Sequence, residues 1–107
     1  MQFVARYHLL PGKAPEARKL ILEKEKEGMP NAPGWKYLGT YFTSMGLGRF
    51  DMEIRSEIEN YAAIDAFRED PDSPWMKRVR EITKFVDWSR PIDMTILREA
   101  SEHSALG

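Results

Sequence analysis

The chain has no cysteine, only two histidines and no excess of either charge. Without Cys there is no disulfide framework, no thiolate-held zinc and no thiol nucleophile. Sixteen Lys and Arg stand against seventeen Asp and Glu, a formal charge of −1 over 107 residues. The electrostatic footprint of a nucleic-acid binder is therefore missing. No apolar run comes near the ~20 residues that cross a bilayer. The apolar start of the chain is interrupted by Arg6 and His8 and followed at once by Pro11-Gly12. A secretory signal instead puts its charge first and an unbroken apolar stretch after it. These absences set the expectation of a cytoplasmic protein with neither nucleic-acid nor membrane partners. What is present, 42% hydrophobic and 31% charged residues, is the composition of one globular domain. That domain is expected over residues 1–98, with a flexible C-terminal tail over the patternless residues 99–107.

Period-two alternation marks the strands. In residues 2–10, Phe3, Ala5, Tyr7 and Leu9 share one face, and Val4, Arg6, His8 and Leu10 the other. A second strand over residues 35–44 is apolar on both faces, with Trp35, Tyr37, Gly39 and Tyr41 on one and Leu38, Thr40 and Phe42 on the other. Residues 45–48, with two glycines, read as a hairpin turn. The third strand, residues 49–56, alternates cleanly: Phe50, Met52 and Ile54 against Arg49, Asp51, Glu53 and Arg55. A fourth strand, residues 92–98, puts Ile92, Met94 and Ile96 on one face.

Between the strands lie helices. Residues 14–28 are rich in Ala, Leu, Glu, Lys and Arg, with Ala17, Leu20, Ile21 and Lys24 forming a stripe. Residues 60–69 form a second helix, capped either by Asn60 or by a box of Ser56 and Glu59. Pro71 ends it. Ser73-Pro74 opens a third, Ser at the cap and Pro at the first helical position. The order βαββα(α)β, with right-handed crossovers, gives a ferredoxin-like α+β fold. Its antiparallel sheet runs 4-1-3-2, with the helices on one face.

The opposite sheet face carries the candidate chemistry. Arg49, Asp51, Glu53 and Arg55 lie at its centre, with Arg6 and His8 on the neighbouring strand. The exposed aromatics of the second strand, beside these charges, have the composition of a subunit interface. Two sheets packed face to face would make a homodimer whose charged middle lines a cavity. There His8 is the candidate base, since it changes charge near neutral pH. Asp51 and Glu53, about 7 Å apart on one strand face, are the candidate acid/base partners. Arg6 and Arg55 would hold an anionic group of a substrate, and Tyr41 would meet it from the second strand. Against these stands a plainer use for each residue: mutual neutralisation of Asp51 and Glu53 by the arginines, and a satisfied strand-end His8. The same neutralisation argues against a metal here. The aromatics Trp35, Tyr37, Trp75 and Trp88 suit a planar ligand, but core and interface packing account for them as well. RNA-binding domains of this strand order stack bases on third-strand aromatics, where this chain has Asp51 and Glu53.

The strand Phe3-Val4-Ala5-Arg6-Tyr7-His8-Leu9, the Pro11-Gly12-Lys13 turn into a Glu- and Lys-rich helix, the third strand running into Asn60-Tyr61-Ala62-Ala63 and the terminal strand together resemble the dimeric α+β-barrel superfamily. Its members include antibiotic-biosynthesis-type monooxygenases that need no cofactor, EthD-like proteins and NIPSNAP-like proteins. The resemblance spans residues 2–98. It implies a homodimer that binds a small organic molecule between sheet and helices or within the barrel. Haem-binding branches need an axial His, often on a helix. Here the only histidines are His8 and His103, so no haem and no other cofactor is expected. Two functions follow: an enzyme, a cofactor-independent monooxygenase or isomerase built on His8, Asp51 and Glu53, or a non-catalytic ligand-binding or structural dimer.

Overall fold

A computed structural model describes residues 1–30, 32–44 and 48–101. The elements are β1 (Gln2–Tyr7), α1 (Ala14–Glu27), β2 (Trp35–Phe42), β3 (Met52–Ile58), α2 (Ala62–Glu69), α3 (Pro74–Ile82) and β4 (Asp93–Leu97). The sheet runs β2-β3-β1-β4 with every neighbouring pair antiparallel. This is the expected 4-1-3-2 order read from the other edge. Residues 46 and 47 of the expected turn, with Met45, lie outside the described residues, as do residues 102–107 of the expected tail. Residues 100–101 are helical.

One sheet face packs on the helices. Ala5, Tyr7, Met52 and Ile54 from the sheet meet Ala17 and Ile21 of α1 and Ile82 of α3 in a buried core that Leu9 and Val86 extend. The stripe read for α1 supplies its two buried residues, Ala17 and Ile21. Ser73 Oγ accepts from the Met76 N–H at 3.2 Å, satisfying a donor that the start of α3 leaves open. Asn60 Oδ1 does the same for the Ala63 N–H at 3.1 Å. Ser56 lies in β3, so of the two caps read for α2 Asn60 is the one used.

Three strands depart from the expected reading. β3 runs over Met52–Ile58 rather than residues 49–56, which leaves Arg49 and Asp51 ahead of the strand. β1 ends at Tyr7 rather than residue 10, because the chain changes partner there. Leu9 bridges to Val86, and the Asp87 N–H donates to the His8 carbonyl at 2.8 Å. The larger departure is in β2. The register shifts between Tyr37 and Gly39: Tyr37 faces Ser56 and Gly39 faces Arg55, leaving Leu38 as a bulged residue. Strict alternation put Trp35, Tyr37, Gly39 and Tyr41 on one face. The bulge sends Trp35 and Tyr37, with Thr40 and Phe42, to the helix side, and Gly39 and Tyr41 to the open side. Gly39 permits it, with φ at 154°, a conformation that residues with side chains rarely adopt.

Candidate functional site

The register places the open face. Arg6 pairs with Glu53 across β1 and β3 and with Asp93 across β1 and β4, while Tyr41 pairs with Glu53 across β2 and β3. The charges close on one another. Arg6 Nε donates to Glu53 Oε1 at 2.8 Å, and its NH1 group donates to Asp93 Oδ2 at 2.7 Å and Thr95 Oγ1 at 3.3 Å. Arg55 Nε donates to the other Glu53 oxygen at 2.7 Å. The Arg55 guanidinium also sits 5.6 Å from the Tyr41 ring centroid, within cation–π range. Partial burial pushes the Glu53 carboxyl up, but Arg55 and then Arg6 outweigh it and hold Glu53 below its ordinary range. Hydrogen bonds from Arg6 and Thr95 hold Asp93 down as well. Arg6 in turn keeps its proton more tightly, chiefly through Asp93.

His8 and Asp51 stand at one end of this ladder. Asp51 lies just before β3, and its Oδ2 accepts the Leu9 N–H at 2.8 Å, taking a backbone donor freed where β1 leaves β3. The same oxygen is 3.9 Å from His8 Nδ1. The His8 ring lies 4.7 Å from the Phe50 ring, tilted 31°. All six sequence-derived candidates thus lie on or beside one face. Arg6, Glu53, Arg55 and Tyr41 form a connected group, with His8 and Asp51 as a separate pair. A cavity of about 590 Å³ opens on this face beside Arg6, Arg49, Phe50, Glu53 and Asp93. Asp93 and Thr95 were missed by sequence reasoning, because the fourth strand was recognised from its apolar side. The signal was the polar alternation of Asp93 and Thr95 opposite Met94 and Ile96.

A second cavity, of about 300 Å³, lies on the other side of the sheet, between it and helices α2 and α3. Its walls are aromatic. Trp35 stacks at 4.8 Å on Phe67 and approaches Trp75 at 6.1 Å, and Tyr7 meets Trp88 edge-on at 5.8 Å. The Trp35 indole N–H donates to the Ala63 carbonyl at 2.9 Å, so the ring is fixed in place. Tyr7 and Ser56 also line the chamber. They are 5% and 4% exposed, and neither hydroxyl has a hydrogen-bond partner among the described residues. Burial pushes the Tyr7 phenol up to about 12, so it is protonated, with a hydrogen to donate, at neutral pH. Tyr37, by contrast, is committed: its hydroxyl bonds Glu25 and Thr40 at 2.7 and 2.6 Å.

No protein-family model matches the sequence, and no curated protein matches it. Solved structures do. An uncharacterised NIPSNAP-domain protein from Burkholderia xenovorans superposes with a TM-score of 0.62 at 17% identity, over 94% of this chain and 96% of that one. A NIPSNAP-family protein of unknown function from Agrobacterium tumefaciens superposes with a TM-score of 0.60 at 14% identity, over 92% and 86% of the two chains. At these identities the likeness is one of fold: this chain has the ferredoxin-like α+β architecture of NIPSNAP-domain proteins.

Proposed function

We propose that the protein is a homodimeric binder of a small, largely apolar organic molecule, held in the chamber between the sheet and helices α2 and α3. The observation that carries this is an aromatic cavity of about 300 Å³ with the hydroxyl-bearing Tyr7 and Ser56 side chains on its wall. Ligand sites are concave, mostly apolar and furnished with a few convergent polar groups, with volumes from about 300 Å³ upward. Neither hydroxyl is closed off from the chamber, so both can meet a polar atom of an occupant. The open face supports pairing of two copies: Tyr41 is 52% exposed on one edge strand and Leu97 is exposed on the other.

All three tryptophans line the chamber, so intrinsic fluorescence reports its occupancy. A library of small aromatic and aliphatic compounds, followed by thermal shift and tryptophan fluorescence, should yield compounds that both stabilise the protein and change its emission. Val79→Phe, which fills the chamber, should remove that response while the protein stays folded. Compounds that stabilise the variant as well as the wild type would move the site elsewhere. A protein that no compound stabilises would favour the purely structural dimer.

A second reading rests on the 590 Å³ cavity of the open face. In a barrel of two sheets that cavity is enclosed, and a cofactor-independent monooxygenase or isomerase would use it. Of the six candidates only Arg6 and Glu53 line that cavity. In this reading His8 would take a proton, Asp51 and Glu53 would orient the partners, and Arg6, Arg55 and Tyr41 would hold the substrate once the partner sheet brings them to one space. The ion pairs of the ladder favour the chamber over this face, since Arg6 is already paired with Glu53 and Asp93 and Arg55 with Glu53.

A further inference from the structure

Resting on the chamber reading, we propose that its occupant is an amphiphilic anion: a small carboxylic acid whose apolar body fills the chamber and whose head group pairs with Arg68 and Arg80 at its edge. The two cavities differ in charge in a way the whole chain does not. The open-face cavity mixes signs, with Arg6 and Arg49 against Glu53 and Asp93. The chamber wall contains exactly two charged residues, Arg68 of α2 and Arg80 of α3, and no carboxylate. A protein of net charge −1 has no general basic excess to produce that pattern.

Both arginines are exposed, which puts them at the rim rather than the floor. The Arg68 side chain has no hydrogen bond or ion pair among the described residues. Arg80 donates to the Pro71 carbonyl at 2.7 Å, and its one carboxylate among the described residues is Asp72 at 3.8 Å, itself 86% exposed. A pair so exposed is worth little, so Arg80 keeps the capacity to bind another anion. Guanidinium groups recognise carboxylates through a planar fork of donors. Behind this rim the aromatic walls accept a flat or chain-like apolar body. Deeper in the same wall, the Tyr7 and Ser56 hydroxyls can meet a second polar atom if the acid carries one.

The test uses matched probes that differ only in the head group: naphthoate against naphthylmethanol, and octanoate against octanol. Isothermal titration should show at least one acid binding tenfold or more tighter than its alcohol, with an affinity that falls as salt is raised. In the doubly substituted Arg68→Gln/Arg80→Gln protein the acid should fall to the level of the alcohol, while alcohol binding and the melting temperature hold. Alcohols that bind as tightly as the acids would overturn the anionic assignment and leave the chamber as a neutral ligand site. An acid preference that survives the double substitution would place the head group elsewhere and overturn it too. If neither member of either pair binds, or if Val79→Phe binds them as well as the wild type, the chamber reading itself falls and this inference with it.

Discussion

Arg6 Nε lies 2.8 Å from Glu53 Oε1, and the second Glu53 oxygen lies 2.7 Å from Arg55 Nε. One carboxylate therefore holds two cations from adjacent strands in place. Replacing Glu53 with Gln should cost about 1.5–3 kcal/mol, the range for a hydrogen bond to a charged group, because Arg6 keeps Asp93 while Arg55 loses its one carboxylate among the described residues. For a domain of this size each kcal/mol lowers the melting temperature by about 4–8 °C.

The same pair sets an acid dependence. Glu53 and Asp93 are both held below their ordinary range in the folded chain, so the unfolded chain takes up protons first as pH falls. Their contribution is fully present above the ordinary carboxylate values of about 4 and is lost as pH drops through the lower folded values. Melting curves across this range should show wild type and Glu53→Gln converging in acid. A gap that stays constant down to the lowest pH would mean that the carboxylate contributes through shape rather than charge.

The bulge gives a sharper test. A side chain added at Gly39 must take a φ of 154° and brings its Cβ to 3.3 Å from the Tyr41 hydroxyl. Gly39→Ala should cost about 1–3 kcal/mol, most of it backbone strain. Tyr41→Ala removes the contact but not the strain, so it should restore only a small part of the loss. Full rescue would show that crowding, not φ, makes glycine necessary.

Pairing of two copies is tested on the two faces of β2. Tyr41 is on the open side and Phe42 on the helix side, where the Arg18 guanidinium lies 5.4 Å from its ring centroid. In sedimentation at micromolar concentration the wild type should run as a dimer. Tyr41→Glu, which sets a carboxylate opposite Glu53, should give a folded monomer. Phe42→Glu should instead lower the melting temperature, since it puts a charge against the core. A wild-type monomer would exclude the two-sheet barrel.

The chamber's tryptophans should separate stability from binding. Trp75 is 4% exposed, whereas Trp88 is 61% exposed, lines the chamber and meets Tyr7 edge-on. Trp75→Ala should cost about 3–5 kcal/mol as a large buried aromatic. Trp88→Ala should cost about 1 kcal/mol, the worth of an edge-on aromatic pair, yet weaken any chamber ligand. Equal losses of stability would show that Trp88 belongs to the core.

Strand order was legible because each strand's alternation, its flanking breakers and right-handed crossovers leave few arrangements. The open face was legible for the same reason: Arg6, Glu53 and Arg55 alternate with core residues. Reading failed where period two is broken from within. Nothing around Leu38 marks it as an extra residue, so the side-chain directions of Gly39 and Tyr41 came out inverted relative to Tyr37. It failed again where partners depend on register. Asp93 faces Arg6 only once β4 is laid against β1, a relation between residues 87 apart in the chain. The chamber was hidden for a third reason. Trp35, Phe67, Trp75 and Trp88 are the aromatics any core would use, and whether they close on one another or leave space between them is decided by packing.

His8 distinguishes the two sites. Its side chain is mostly buried, its ring lies on Phe50, and its Nδ1 faces Asp51 at 3.9 Å. It lines the open side of the sheet and contributes nothing to the chamber wall. His8→Ala should cost about 1 kcal/mol through the lost ring contact and leave binding of a chamber ligand within about twofold. Oxygen uptake and product analysis with any ligand found should then give the same result for wild type and variant. A ligand whose binding or turnover disappears with His8, while melting shows the fold intact, would move the function to the open face. It would make His8 the base of the second reading, with Arg6, Arg55 and Tyr41 as its substrate contacts. Tyr7→Phe is the complementary variant: it keeps the buried ring and removes only the chamber hydroxyl. Loss of binding in Tyr7→Phe together with retention in His8→Ala assigns the site to the helix side of the sheet.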